Sequence, residues 1–583
     1  MSPISPAAER RRRLLTRAVP VAVLAIAAFI AWAIISGGGP ELSAAQRFAD
    51  AWERQDFAAM HEELSPKAAR RYPLAQFTDD YGRAQETATV ASVETGAPSA
   101  AESGDQPAAA VPVSLDTHAF GQISGRLLLP LDGDEIAWSP ELVFPGLEPG
   151  GRLVRRARVP ERAPILARDG TPLAEGPAAS RSSPLGAAAQ SVAGSTAAPT
   201  PELDRELSRL GFPSGTPTGA SGLELAFNRR LAGQPGGELL AVGSEGGPPG
   251  GTVLAQGSPV TGKPVHTTID PVLQRAAVAA LGGQYGGVAV LDARKGSVLA
   301  LAGIAFSGPQ PPGSTFKVIT TTAALEAGVV ELTDQFPVQT SVEIGGREVA
   351  NAHNEACGGS FVEAFAQSCN SVFVPLGPKI GSERLVQSAE RYGFNSPPAL
   401  FDQAAIRAVN VPQSTIPTSI PDELELGVSA IGQGQVLATP LQMASVAQTI
   451  ADDGTRSPTG IVSDRKLQSA AKPVRVTSGK VATTVRDLMI QVVKSGTGTA
   501  AALPGVQVAG KTGTAELGPK PLEPGKEAGA APEQEVDAWF TAFAPAEDPK
   551  LAAAAMVVNA DGDGGTVAAP IVRQVLAVGL GGG

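Results

Sequence analysis

The sequence predicts a multidomain α+β protein. Its 583 residues exceed what one hydrophobic core organises, and length alone sets an expectation of about three to four domains. The 43% hydrophobic and 18% charged residues are proportions of a folded globular chain, and the 67 glycines and 50 prolines follow no collagen period. Helical spacing and strand-like alternation both recur, first within 41–150 and again from Val265 to the C-terminus.

At the N-terminus, Arg10, Arg11, Arg12, Arg13 and Arg17 precede an uncharged run from Ala18 to Ile35, and Gly37-Gly38-Gly39 follows it. The run has about the minimum length for a membrane-spanning helix. Its basic flank assigns residues 1–17 to a cytoplasmic tail and the bulk of the chain to the other side of the membrane. A transmembrane anchor at 18–36 is therefore expected. Ala31-Trp32-Ala33 also matches a signal-peptide cleavage site, but the run is long for a signal core and Trp32 suits an interfacial anchor, so retention is the preferred reading. No cysteine lies near the run, which excludes a lipoprotein.

From Leu42 to Leu64 the spacing of Ala45, Phe48, Ala49, Trp52, Phe57 and Met60 is helical. Residues 86–145 alternate instead, as in Val111-Pro112-Val113 and Leu127-Leu128-Leu129, so 41–150 reads as a small α+β domain. In 151–263 a basic cluster (Arg152, Arg155, Arg156, Arg158) leads into Arg162–Gly170. The stretch from Ala174 to Ser221, rich in Ala, Ser, Gly and Pro, is expected to be loop with little core, apart from a helical patch at Glu202–Leu210; Gly222–Asn228 resumes a patterned element. The last domain, 264–583, opens on Val265–Asp270, which alternates like a strand, with Asp270 placed to cap a helix starting at Pro271. Gly287–Leu291 and Ser297–Ala302, joined by Asp292-Ala293-Arg294-Lys295-Gly296, carry a hairpin signature.

Composition removes several function classes. A net charge of −11 without a basic stripe disfavours a nucleic-acid partner. His61, His118, His266 and His353 are scattered, and no HExxH or CxxC spacing occurs, so no metal and no cofactor is expected. Cys357 and Cys369 are too few for a disulfide framework.

Three motifs carry chemistry. Ser314-Thr315-Phe316-Lys317 follows Pro311-Pro312-Gly313 and opens a helical stretch to Leu325. Positions i and i+3 share a helix face, so Ser314 Oγ and Lys317 Nζ can meet, and a neutral lysine can take the serine proton. The same spacing at Ser463–Lys466 and Ser469–Lys472 lacks a helix start and reads as chance. Ser368-Cys369-Asn370 follows the helical run Phe361–Gln367; it offers a proton relay and a carboxamide. Gly510-Lys511-Thr512-Gly513-Thr514 lies between an apparent strand at Val506–Val508 and another at Trp539–Phe543. There Lys511 and Thr512 can bind a carboxylate while a peptide adds along the strand, and Gly513 allows close backbone approach. Lys494-Ser495-Gly496-Thr497 competes with it but sits in apparent loop.

In this order the motifs resemble those of penicillin-binding proteins and serine β-lactamases. Ala430–Gly434, Thr439–Met443 and Asp537–Phe540 add to the likeness, which covers Val265 to about Val578. Arg162, Ile165, Arg168 and Gly170 resemble the dimerisation (pedestal) domain of class B penicillin-binding proteins, with Ala163 and Ala167 departing from the usual pattern. The 41–150 segment is similar to the cone-shaped, nuclear-transport-factor-like domain of methicillin-resistance-type members. The resemblance implies a C-terminal antiparallel sheet flanked by helices. It also implies a serine D,D-transpeptidase that cross-links peptidoglycan stem peptides and is acylated by β-lactams.

By motif, Ser314 would be the nucleophile, Lys317 the base, Ser368 the proton relay and Asn370 the orienting amide. Lys511 and Thr512 would hold the carboxylate, and the N–H groups of Ser314 and Thr514 the oxyanion. The implied partners are a D-Ala-D-Ala donor, an amine acceptor, β-lactams, the cytoplasmic membrane and other cell-wall proteins. A hydrolytic carboxypeptidase or β-lactamase, and a non-catalytic penicillin-binding sensor, are the alternatives. Cys357 and Cys369 either form a local disulfide beside the second motif or remain buried thiols.

Overall fold

The computed structural model describes residues 40–243, 248, 250–406, 411–519 and 534–582. The expected tail at 1–17 and anchor at 18–36 lie outside the described residues, among which no helix is long and apolar enough to cross a membrane. The chain forms two compact units: residues to Pro160 with Thr200–Thr216 and Gln234–Val260, and Glu161–Pro199 with Pro217–Gly233 and Thr261 onward.

In the first unit the helical spacing after Leu42 is realised as two helices, Pro40–Glu53 and Phe57–Glu62. Gln55 interrupts them with a positive φ of 56°, and the Asp56 side chain caps the second by accepting from Ala59 N at 3.1 Å. Ala45, Phe48, Ala49, Trp52 and Met60 all point into one core, shared with Phe77, Tyr81 and Trp138. A five-stranded antiparallel sheet closes that core, built on Gln106–Thr117 paired with Gly121–Asp132. A three-stranded sheet of Arg152–Arg158, Gly236–Val242 and Thr252–Gly257 belongs to the same unit. The segment expected as one domain at 151–263 thus contributes to both units.

The stretch from Ala174 to Ser221 corrects one expectation. It contains helix Ala187–Ala193, whose Ala188, Ala189, Val192 and Ala193 are buried in the core of the second unit. Gln274 locks it there, donating to the Ala188 and Leu301 carbonyls at 2.9 and 2.7 Å and accepting from Leu301 N at 2.9 Å. Small residues read as linker in sequence, yet they allow a helix to approach a sheet closely. The strand expected over Val265–Asp270 shrinks to Val265–His266, paired in parallel with Ile165–Leu166, and Asp270 caps the next helix as expected.

The larger part of the second unit has a five-stranded sheet made of β1 (Gly286–Asp292), β2 (Val298–Gly303), β3 (Ala509–Pro519), β4 (Gln534–Ala544) and β5 (Leu551–Val557), in the order β2-β1-β5-β4-β3 and antiparallel throughout. The helices around it include α1 (Pro271–Leu281), α2 (Lys317–Ala327), α3 (Phe361–Ala366), α4 (Asn370–Ile380), α5 (Pro440–Ala451), α6 (Gly479–Ser495) and α7 (Ala569–Gly579). Strand β5 shows why both faces are covered. All seven of its residues are buried; Ala552, Ala554 and Met556 enter the core on the α2 and α5 side, and Leu551, Ala553, Ala555 and Val557 the core under α1 and α7. Covering both faces leaves β3 as an edge strand, and its edge borders the site.

Outside the sheet, Glu224 is held between Arg162 and Arg181 at 2.7 Å each, with all three side chains buried. Burial pulls the Arg162 guanidinium below its ordinary range, and Glu224 offsets part of that cost. Removing the carboxylate would leave two buried guanidiniums without a counter-charge. Glu224→Ala is therefore expected to destabilise this unit by about 3–5 kcal/mol, measured as a lowered urea midpoint of the purified protein.

Candidate active site

Ser314 lies on a single 3-10 turn, Gly313–Phe316, that runs straight into α2, where Lys317 is the first residue. In a 3-10 turn residues i and i+3 eclipse, which aligns Ser314 and Lys317 on one face. The turn is wedged between two glycine-dependent contacts. Gly313 has φ 51° and donates to Gly432 O at 2.9 Å, and a Cβ added to Gly313 would stand 2.6 Å from Thr514 O. Gly432 has φ 72°, and a Cβ there would meet Gly313 O at 2.2 Å. Both positions need glycine for conformation and for space. From β3, a Cβ on Gly513 would meet Pro312 O at 2.7 Å and Thr315 N at 3.0 Å, so the strand rests against the turn.

Ser368 sits between α3 and α4, with a left-handed φ of 60°, a conformation costly for a side-chain-bearing residue. That conformation presents both its carbonyl and its hydroxyl to the lysines. Lys317 Nζ donates to Ser368 O at 2.7 Å and Asn370 Oδ1 at 2.7 Å, and lies 3.3 Å from Ser368 Oγ. Lys511 Nζ donates to Ser368 Oγ at 2.8 Å and to Thr512 O at 3.0 Å. Asn370, the first residue of α4, is oriented by its own donation to Ala350 O at 2.9 Å. Cys357 and Cys369 are joined in a disulfide, which fastens the strand Cys357–Ser360 to the residue after Ser368.

Both lysines are fully buried. Among the described residues neither forms an ion pair; each ammonium faces an aromatic ring, Phe373 at 5.1 Å for Lys317 and Phe365 at 5.8 Å for Lys511. Burial lowers Lys511 to about 7. Lys317 is pushed well below its ordinary value, first by burial and then by the charge of Lys511.

The structure thus brings Lys317, Ser368, Asn370 and Lys511 into one hydrogen-bonded cluster, with Ser314, Gly513 and Thr514 meeting at the 3-10 turn. Thr512 joins through Thr497, whose hydroxyl is 2.6 Å from the Thr512 hydroxyl. Thr497 belongs to the segment that competes in sequence as a lysine motif; its lysine is exposed, but its threonine reaches the site. The strand expected at Val506–Val508 begins instead at Ala509. Ser463–Lys466 and Ser469–Lys472 fall outside helices. Asn351, buried and accepting from Ser371 N at 2.9 Å, supports the Asn370 wall; no local pattern in the sequence marks it.

Residues 286–577 match the penicillin-binding protein transpeptidase domain, and 174–267 match the penicillin-binding protein dimerisation domain. The chain belongs to the class B penicillin-binding proteins. It is 38% identical over 294 residues to the peptidoglycan D,D-transpeptidases PbpA of Mycolicibacterium smegmatis and Mycobacterium tuberculosis. Those alignments cover 47% of this chain and 56% of each relative, so the chain spans little more than half the length of the curated relatives it matches. Among solved penicillin-binding proteins, the imipenem acyl-enzyme complex of penicillin-binding protein A from M. tuberculosis matches with a TM-score of 0.55 at 28% identity, covering 72% of this chain and 99% of that one. The D,D-transpeptidase domain of a peptidoglycan glycosyltransferase from Eggerthella lenta matches at 0.56 and 28%, covering 72% of this chain and 98% of that one.

The buried lysines make stability pH-dependent. An unfolded chain keeps the Lys511 proton up to the ordinary lysine range, whereas the folded chain releases it near about 7. Between those limits the unfolded state binds more protons, so stability rises as pH increases. Lys511→Met is expected to flatten that rise, checked by urea midpoints between about pH 6 and about pH 10.

Proposed function

We propose that the protein is a peptidoglycan D,D-transpeptidase that cross-links stem peptides through an acyl-enzyme on Ser314 and is inhibited covalently by β-lactams. The observation that carries this reading is the Lys317–Ser368–Asn370–Lys511 cluster beside the Ser314 turn. A neutral Lys317 donates its two N–H bonds to Ser368 O and Asn370 Oδ1, leaving its lone pair for the Ser314 proton. Ser314 Oγ then attacks the carbonyl of the penultimate D-alanine. The N–H groups of Ser314 and Thr514 stabilise the oxyanion, at about 3 kcal/mol per donor.

Collapse of that intermediate breaks the peptide C–N bond. Ser368 Oγ, held by both ammonium groups, passes a proton to the leaving D-alanine nitrogen and recovers one from Lys317. Protonated Lys511 and the Thr512 hydroxyl hold the terminal carboxylate, and Asn370 orients the donor amide. The amine of a second stem peptide attacks the ester, forming the cross-link and returning the proton to Ser314. Relatives named as D,D-transpeptidases support transfer to an amine over hydrolysis. The same reading places the bulk of the chain outside the cytoplasm on an anchor at 18–36, with 41–150 as a nuclear-transport-factor-like spacer, in the company of other cell-wall proteins.

Fluorescent penicillin tests the nucleophile directly. Ser314→Ala is expected to lose covalent labelling entirely, and labelling equal to wild type overturns the assignment. The pH profile tests the lysines. Lys511 holds a carboxylate only when protonated, so the second-order acylation rate is expected to fall as pH rises through about 7. Lys317 acts as a base only when neutral, and burial with the Lys511 charge holds it well below the ordinary lysine range, so its protonation on acidification gives the acid limb. Stopped-flow acylation across pH checks both limbs.

A further inference from the structure

One buried carboxamide beside the second motif joins three main-chain segments. Asn351 is 5% exposed. Its Nδ2 donates to Gln339 O at 2.8 Å and to Glu355 O at 3.0 Å, and its Oδ1 accepts from Ser371 N at 2.9 Å. Both side-chain hydrogens are therefore spent inside the protein. Gln339 and Glu355 flank the end of the two-stranded ribbon of Gln335–Gln339 and Cys357–Ser360, where Cys357 enters the disulfide.

The bond from Ser371 N is a helix cap supplied from a distance. The first N–H groups of a helix have no partner within it, and a side chain just before the helix usually accepts from one of them. In α4 that position is Cys369, whose side chain makes no capping bond and is committed to the disulfide. Asn351 provides the acceptor from 20 residues earlier in the chain. Because α4 begins at Asn370, this cap sets where the Asn370 carboxamide starts from.

The backbone of Asn351 sets where that carboxamide points. A planar trans peptide directs its N–H and C=O oppositely. Asn351 N donates to Thr340 O at 2.7 Å, which turns the carbonyl of the same peptide, Ala350 O, toward Asn370 Nδ2 at 2.9 Å. With Nδ2 held there, Asn370 presents Oδ1 to Lys317 Nζ at 2.7 Å. The flipped carboxamide would aim Nδ2 at Lys317, and a donor in that place occupies the lone pair that a neutral lysine needs for the Ser314 proton.

We propose that Asn351 is a positioning residue for acyl transfer, which holds the Asn370 carboxamide with its oxygen on Lys317 and so keeps the lysine lone pair free. This rests on the reading in which Ser314 is acylated, Lys317 is the base and Asn370 orients the donor.

A double-mutant cycle of Asn351→Ala and Asn370→Ala tests it, read as second-order acylation rates of the full-length protein by benzylpenicillin. Asn351→Ala is expected to slow acylation about tenfold, within the range by which misplacing a group slows a step. In the Asn370→Ala background the same change is expected to cost less than about twofold. A general loss of fold lowers the rate by one factor in both backgrounds, so the cycle separates position from stability. Where Asn370→Ala is too slow to measure, the acid limb of the pH profile decides. An acceptor on Lys317 favours its protonated form, with Lys511 the charged group that faces it. Losing Asn370 Oδ1 therefore moves the acid limb of Asn351→Ala to lower pH, whereas a merely structural role leaves the limb in place. Should Asn351→Ala give no folded protein, Asn351→Asp, which keeps an acceptor for the helix start, replaces it in the cycle.

Equal factors in the two backgrounds, an unshifted limb where the limb decides, or no slowing at all overturn this inference and leave the Ser314 reading standing. Failure of both Asn351 variants to fold makes the residue a folding determinant and also overturns it. Wild-type protein that benzylpenicillin does not acylate overturns the Ser314 reading and this inference together.

Discussion

Two lysine amines buried around one serine hydroxyl are the constraint on which the site depends. Lys317 and Lys511 both reach Ser368 Oγ, and neither has a carboxylate to pair with among the described residues. Burying a charge without a partner is costly, and the cost appears here as lowered lysine basicity rather than as a broken fold. The consequence is chemical. A lysine whose basicity is lowered well below its ordinary value, as burial and the Lys511 charge do to Lys317, is available as a neutral base beside Ser314.

Holding that arrangement requires rigidity from several directions. Lys317 starts a helix, Asn370 starts another, Lys511 lies on a sheet strand, and Ser368 occupies a left-handed junction between α3 and α4. The Cys357–Cys369 disulfide and the Asn351 bracket secure the junction. The 3-10 turn bearing Ser314 is pinned by Gly313 and Gly432, where any side chain would collide with backbone. Edge strands are usually shielded because their free groups attract other chains. Here β3 ends its sheet with the Ser314 turn packed against Gly513, so the edge borders the site.

The motifs that converge in the cluster were legible in the sequence because each is local: Ser314 and Lys317 share one turn, Ser368 and Asn370 one helix junction, Lys511 to Thr514 one strand. Binary patterning likewise marked the Ala45–Met60 face and the β1–β2 hairpin, since burial on one face imposes a period. Composition misled at Ala187–Ala193, where small residues look like linker but pack a helix onto the core. No spacing revealed the Thr497–Thr512 contact or the Asn351 bracket, because their partners lie outside the local motifs and only the packed sheet and helices bring them together. Local order along the chain sets which side chains can share a turn, a junction or a strand. Packing sets their protonation and their mutual placement, because both depend on burial and on contacts between distant segments.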